Sequence, residues 1–271
     1  MFLQDFRTLV DWKPLVFGQE SFRLATELQR PGGWGMIEKN WFVWWDKDGV
    51  LYGHFDFSSE DGGRVFARLD GDGNSGSDLG PLVGYTGKEG TGEVKRGKKN
   101  RDVKCMERYF PKIPKGKPED IHQATNSLRV TMCNRRKSEK GTISQGHIHG
   151  NDEESECTPD SNNTVIMTIV HHKTFYDYHG QYEPYVVLFR QRKPFELYGI
   201  SKKPLWIQGR ERQSKTRSDM FYVASVNWRD RGLGYHGFLD DVVFLGFGIE
   251  DHASGGMDLI MGELLSGIGL C

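Results

Sequence analysis

The sequence predicts an all-β domain of antiparallel meanders. Two observations carry this. Short runs of aromatic and β-branched residues recur along the chain, separated by Asp- and Gly-rich turns, which is the signature of hairpins. Glycine (34 residues) and aromatics (12%) are both abundant, as strands joined by many tight turns require. Only one helix is expected, in the last segment or near the N-terminus.

Residues 1–35 are mixed and end in the turn "RPGGWG". A meander follows: "WFVWW" (41–45), a "DKDG" turn, "VLYGHFDF" (50–57), an "EDGG" turn and "RVFARL" (64–69). Residues 84–104 and 135–160 combine Gly, Ser and charged side chains with almost no aromatic content, so both are expected as poorly ordered insertions outside the strands. "NSLRVTMC" (126–133) resumes the strands. After the second insertion come "TVIMTIVHH" (164–172), "YVVLFRQ" (185–191), "PFELYGI" (194–200), "PLWIQG" (204–209), "MFYVASVNW" (220–228), "DVVFLGFGI" (241–249) and "MDLIMGELL" (257–265). This makes one domain over residues 1–271, with about ten strands of legible length.

The formal net charge of −1 gives no global attraction toward nucleic acid, and the basic run 95–104 lacks the interleaved aromatics of a nucleic-acid patch. No apolar run reaches the 18 or more residues of a bilayer span. Asp5, Arg7 and Asp11 interrupt the start too early for the apolar core of a leader, so the sequence reads as a soluble chain. Four cysteines, Cys105, Cys133, Cys157 and Cys271, show no metal spacing. They allow two disulfides in three connectivities, Cys133–Cys157 across a polar loop being the simplest, or four thiols.

"LDGDGNSGSDLGP" (69–81) sets Asp70, Asp72, Asn74 and Asp78 at calcium-loop positions, but Ser75 and Pro81 stand where Gly and Glu are needed. A turn in which Asp bonds its own backbone is the stronger reading. A metal-dependent transferase using Asp70 and Asp72 is the weaker one. "HIH" (147–149) and "HH" (171–172) lack a third ligand; no metal or cofactor is expected. "NNT" (162–164) is a glycosylation sequon.

"YHGFLDDVVFLGFGIED" (235–251) places His236 and Asp241 before one apolar strand and Glu250 and Asp251 after it. Carboxylates beside an imidazole suit acid–base work on a sugar hydroxyl. "HHKTFYDYHGQYEPYVVLF" (171–189) adds four tyrosines and Glu183, groups that suit the faces and hydroxyls of a carbohydrate. "MIEKNWFVWW" (36–45) aims Glu38, Lys39 and Asn40 at the mouth of an apolar strand.

"EKNW" (38–41), followed by "YGHFDF", resembles the fungal β-mannosyltransferases that extend cell-wall mannan, which are in turn similar to five-bladed propeller mannoside phosphorylases. "YVVLFRQRKPFELYGIS" (185–201), "MFYVASVNW" and "FLGFGIED" (244–251) agree with that family in order. The resemblance implies a five-bladed β-propeller-like fold and transfer of mannose, or a related hexose, from a nucleotide-sugar or sugar phosphate to a cell-wall or secretory glycan. It also implies a place in the secretory pathway or Golgi. Lys39 would meet the phosphate, Asn40 would sit beside it, and Asp251 would bind the sugar. Arg64 or Arg68 is expected to add positive charge, and Glu250, Asp251 or Asp241 to serve as base. These groups, with His236, are expected to converge on one pocket. The families carry Asp-Pro-Arg upstream of the Lys-Asn strand. None occurs here, where only 37 residues precede Glu38, so the propeller is expected to lack an N-terminal blade or blades. The alternative function is an inactive or truncated carbohydrate-binding propeller.

Overall fold

The structure is a computed structural model that describes residues 1–5, 22–34, 41–57, 64–81, 85–86, 95–96, 100–113, 119–123, 125–135, 157–176, 179–212 and 218–271. It is mostly strand (47%) with few helices, which makes the chain all-β.

In chain order, β1 (Phe2–Leu3) pairs with β2 (Thr26–Glu27). The three-stranded meander is β3 (Phe42–Trp45), β4 (Leu51–Phe57) and β5 (Arg64–Arg68). A short ladder of β6 (Tyr85–Thr86) and β7 (Lys95–Arg96) precedes helix α1 (Arg101–Tyr109). Then come β8 (Asp120–Gln123), β9 (Leu128–Thr131), the long hairpin β10 (Thr164–Tyr176) and β11 (His179–Arg190), and β12 (Leu197–Ser201). They are followed by β13 (Phe221–Trp228), β14 (His236–Phe238), β15 (Val242–Ile249) and β16 (Ala253–Ile260), then helix α2 (Met261–Leu264) and β17 (Ile268–Leu270).

The largest sheet has seven strands in the order β14-β9-β10-β11-β12-β17, with β8 also pairing β10. Its one parallel contact joins β14 to β9. β13-β15-β16 and β3-β4-β5 form separate three-stranded sheets. The described sheets therefore hold seven, three, three, two and two strands. No four-stranded blade and no closed ring occurs among the described residues.

The alternation of β10 and β11 explains how the layers stack, because successive side chains leave opposite faces of a strand. Met167, Ile169, Val186 and Leu188 face Phe221, Val223, Val226 and Leu245 of the β13 sheet. On the other face, Val170, Tyr185 and Val187 meet Phe57, Met106 and Phe110. Ile166 and Phe189 pack against Trp44, Phe66 and Phe195. Between β8 and β9, Thr125 stays bonded to Ile169 of β10 (2.9 Å from Ile169 N–H to its Oγ1), and the two residues after it tie three sheets together. Asn126 bonds both backbone groups of Val226 (2.8 and 3.0 Å), and Ser127 donates to the Val43 carbonyl (2.8 Å).

Helix α1 corrects the sequence expectation, because residues 101–104 lie in it and not in an insertion. Asn100 caps it through Val103 N–H, and Asp102, Cys105 and Met106 are buried on one side. All four cysteines are paired, as Cys105–Cys271 and Cys133–Cys157, with Cα separations of 5.2 and 6.2 Å. "PLWIQG" is not a strand but an irregular segment. Pro204 cannot donate to a ladder. Most of the 135–160 insertion lies outside the described residues.

Candidate functional site

The sequence-nominated residues fall into separate places. Glu38, Lys39 and Asn40 lie outside the described residues. Arg64 is not at a site: it is 2% exposed and held by Asp102, 1% exposed, through Nε (2.9 Å) and Nη2 (2.5 Å). Its Nη2 also donates to the Phe195 carbonyl. Burial of the guanidinium lowers its pKa, opposed by Asp102. Arg68 stands exposed at the far end of the same strand.

His236 and Asp241 gather at one end of β15, and Glu250 and Asp251 at the other. The eight residues of β15 separate them, nine steps at ~3.3 Å, or roughly 30 Å along the strand. The single pocket expected from the sequence is therefore two regions. In the first, His236 Nε2 lies 2.7 Å from the Thr131 hydroxyl. Burial, with Arg129 and Arg135 adding repulsion, pushes its pKa down to about 4, so the ring is neutral near pH 7. Asp241 bonds Arg135 (2.8 Å) and Phe238 N–H (2.8 Å), and Asp240 accepts from Arg135 N–H (2.7 Å). Asp241 closes the β14–β15 turn through Phe238 N–H, and both carboxylates tie that turn to Arg135.

The second region is richer. β12 covers β11 only from Val187 onward, with Val186 N–H bonded to Ser201 Oγ (3.1 Å), so residues 180–185 have no ladder partner on that edge among the described strands. The segment after Pro204 runs over that edge: Leu205 N–H donates to the Pro184 carbonyl (2.7 Å), and Arg210 Nη2 to the Tyr182 carbonyl (3.2 Å). This places Trp206, 44% exposed, beneath two guanidiniums, Arg210 at 4.6 Å and Arg212 at 5.3 Å from the ring centre. Arg210 is 8% exposed, bonds Ser218 Oγ (2.8 Å) and the Asp219 carbonyl (2.9 Å), and has no hydrogen-bond partner for Nη1 among the described residues. Burial lowers its pKa, with Glu183 the main opposing charge.

Behind this platform, register sets His172 opposite Glu183. His172 Nε2 is 3.2 Å from Glu119, and Nδ1 is 3.9 Å from Glu183. The second distance is an electrostatic contact and not a hydrogen bond. Glu183 is held below its ordinary range, chiefly by His172, with Arg210 and Arg212 adding to it. On the opposite face, His171 Nε2 accepts from Val223 N–H (3.0 Å), stacks on Tyr222 (4.5 Å between centres), and meets Tyr182 edge-on (5.9 Å). Burial raises the Tyr222 pKa.

The β15–β16 turn completes the region. Glu250 Oε1 accepts from Met220 N–H (2.6 Å) and lies 3.6 Å from His179 Nε2. Glu250 and Asp251 both have positive φ, 51° and 54°. Tight hairpins favour this geometry, but usually with Gly or Asn. Asp251 tolerates it, whereas Glu250 there costs about 1–2 kcal/mol relative to a residue that fits, and strain of this kind concentrates at functional sites.

Sequence reasoning missed Trp206, Arg210 and Glu119. Trp206 sits in "PLWIQG", a run with the pattern of a strand, and Glu119 lies 53 residues from the His172 it contacts. The calcium-like loop is a turn: Asp70 Oδ1 accepts from Asp72 N–H (3.0 Å) and Asn74 N–H (2.8 Å). No cluster of three or more His, Cys, Asp or Glu shaped for a metal ion occurs among the described residues, and no described helix is long and apolar enough to cross a membrane.

No family model, no curated protein and no solved structure matches the chain.

Proposed function

We propose that the Trp206 platform handles a glycan, and that the chain is a glycosyltransferase-like protein moving mannose or a related hexose from a nucleotide-sugar or sugar phosphate onto a cell-wall or secretory glycan. One observation carries the reading: an exposed indole under two guanidiniums, backed by Glu183, His172 and Glu119. Sugars stack their C–H faces on such rings, while the cations offset the charge of a departing phosphate.

In an inverting transfer, the acceptor oxygen forms a bond to C1 as the C1–phosphate bond breaks, and the acceptor proton passes to a base. Glu183 is the base in this proposal, since its low pKa keeps it ionised. Glu250 and Asp251 offer carboxylates to sugar hydroxyls from the turn, and Lys39 keeps its phosphate role on the motif resemblance. The reading does not depend on a closed propeller.

A second reading is a glycan-binding domain without transfer. It is favoured by the surroundings of Glu183, where His172, Arg210 and Arg212 hold the pKa below its ordinary range and so weaken it as a proton acceptor. Radiolabelled nucleotide-mannose and a mannan oligosaccharide separate the two. Transfer that Glu183→Gln abolishes supports the enzyme. Retention of the oligosaccharide with no transfer supports the binding domain, and neither retention nor transfer ends both readings.

A further inference from the structure

We propose that Asn162 carries an N-linked glycan, added before β10 pairs with β9. Asn162-Asn163-Thr164 is the one Asn-x-Ser/Thr sequence in the chain, and neither Asn163 nor Val165 is the proline that would block it. Asn162 is exposed at the turn entering β10. Its backbone N–H is bound by Asp160 (2.6 Å), and its side-chain amide makes no hydrogen bond among the described residues. Asn163, by contrast, is fully used: Oδ1 accepts from Asp160 N–H (2.8 Å) and Nδ2 donates to the Thr158 carbonyl (3.0 Å). A glycan on Asn162 therefore displaces nothing.

Compartment supplies the second, independent observation. All four cysteines are disulfide-bonded, across separations of 166 and 24 residues. Disulfides of this kind form and persist in oxidising surroundings, the compartments where N-glycosylation takes place.

The order of events follows from Thr164. The transferase reads the hydroxyl two residues after the acceptor asparagine. In the folded chain Thr164 is 2% exposed, and Oγ1 is shared with Thr131 (3.0 Å) and Asn163 (3.0 Å). That hydroxyl is out of reach once Thr164 pairs with Thr131. Modification must precede this pairing. The step needs a lipid-linked oligosaccharide pyrophosphate: Asn162 Nδ2 forms a bond to the sugar C1, the C1–O bond to pyrophosphate breaks, and the amide loses one proton. This inference is independent of the glycan-handling reading above.

The test is the full chain made behind a secretion leader in a eukaryotic cell, with secreted and cell-retained pools both analysed by intact mass before and after peptide N-glycosidase. The expected result is loss of one glycan from the wild type, mapped as conversion of Asn162 to Asp, and no change in Asn162→Gln. Asn162→Gln alters an exposed side chain and should fold with both disulfides. Unmodified wild type in both pools, or a glycan that survives Asn162→Gln, overturns the proposal. A second arm offers microsomes the nascent chain or the refolded, disulfide-bonded chain. Modification of the nascent chain alone supports the order of events, and equal modification of both refutes it.

Discussion

Asp102→Ala tests whether Arg64 is a strut or a ligand-binding cation. Both groups are almost wholly buried, and Asp102 spends one oxygen on Arg64 and the other on Leu197 N–H (2.9 Å). Truncation leaves a buried guanidinium with the Phe195 carbonyl as its remaining hydrogen-bond partner among the described residues, beside the Phe66 and Phe189 rings. Breaking a buried pair from one side costs about 3–5 kcal/mol. Orphaning the Leu197 N–H adds about 1–3 kcal/mol, and loss of a carboxylate from the first turn of α1 adds a few tenths more. These losses share one cavity and do not add fully, so about 4–6 kcal/mol is expected, a large share of a stability of about 5–15 kcal/mol. At about 2–4 °C per kcal/mol for a chain of this size, calorimetry should show Tm falling by roughly 10–20 °C. Arg64→Leu with Asp102→Asn removes both charges and keeps an acceptor for Leu197, so it should recover most of the loss. If Asp102→Ala moves Tm by less than about 3 °C while glycan or nucleotide-sugar binding disappears, the strut assignment is wrong and Arg64 belongs to a site.

Trp206→Ala should weaken oligosaccharide binding about tenfold or more, as loss of an aromatic contact of 1.4 kcal/mol or above implies; titration calorimetry reads it, and Tm should change little because the ring is exposed. His236 gives a pH dependence. Its folded pKa of about 4 lies below the ordinary 6.5, so the unfolded chain takes up the proton first. Its contribution is complete above pH 6.5 and is lost as pH falls toward 4. Urea midpoints should drop across that window by an amount worth about 1–2 kcal/mol after screening of a partly exposed ring, and His236→Gln should remove that part of the drop. Asn126→Ala breaks both bonds to the Val226 backbone and should cost about 2–3 kcal/mol in urea unfolding; a change under 0.5 kcal/mol would mean water replaces them without loss.

Strand existence was legible because it is local. The runs read at 41–45, 50–57, 64–69, 164–172, 220–228 and 241–249 each contain or closely match an observed strand, since alternating or continuous apolar residues have few other places to go. Helix α1 was hidden by composition. Its one-sided burial at Asp102, Cys105 and Met106 follows helical spacing, but Arg101, Lys104, Glu107 and Arg108 make the stretch look like solvated loop. β14 is three residues long and is held by parallel pairing to β9, too short for any periodic signal. Of the cysteines, the 24-residue pairing was the simple choice. Cys105–Cys271 spans 166 residues, and nothing local announces it.

The candidate site was partly legible for a geometric reason. Glu250 belongs to the same region as Glu183, because Arg210 feels the charge of both, and Asp251 follows it in the same turn. Asp241 is only nine residues from Glu250 in sequence, yet nine residues of uninterrupted strand are the longest distance a chain of that length can place between two groups. Polar residues flanking one apolar strand therefore mark opposite ends of a sheet, and only one end can share a ligand. The end to choose is the one whose polar atoms are still uncommitted. At the His236 end, Asp240 and Asp241 both bind Arg135 or turn amides. At the Trp206 end, Arg210 Nη1 and His172 Nδ1 are buried without a hydrogen-bond partner among the described residues. Such groups cost about 1–3 kcal/mol each in an empty protein. On the proposed reading the second region is the one to test first, because Trp206 is exposed there while the carboxylates of the first are committed to Arg135 and a turn amide.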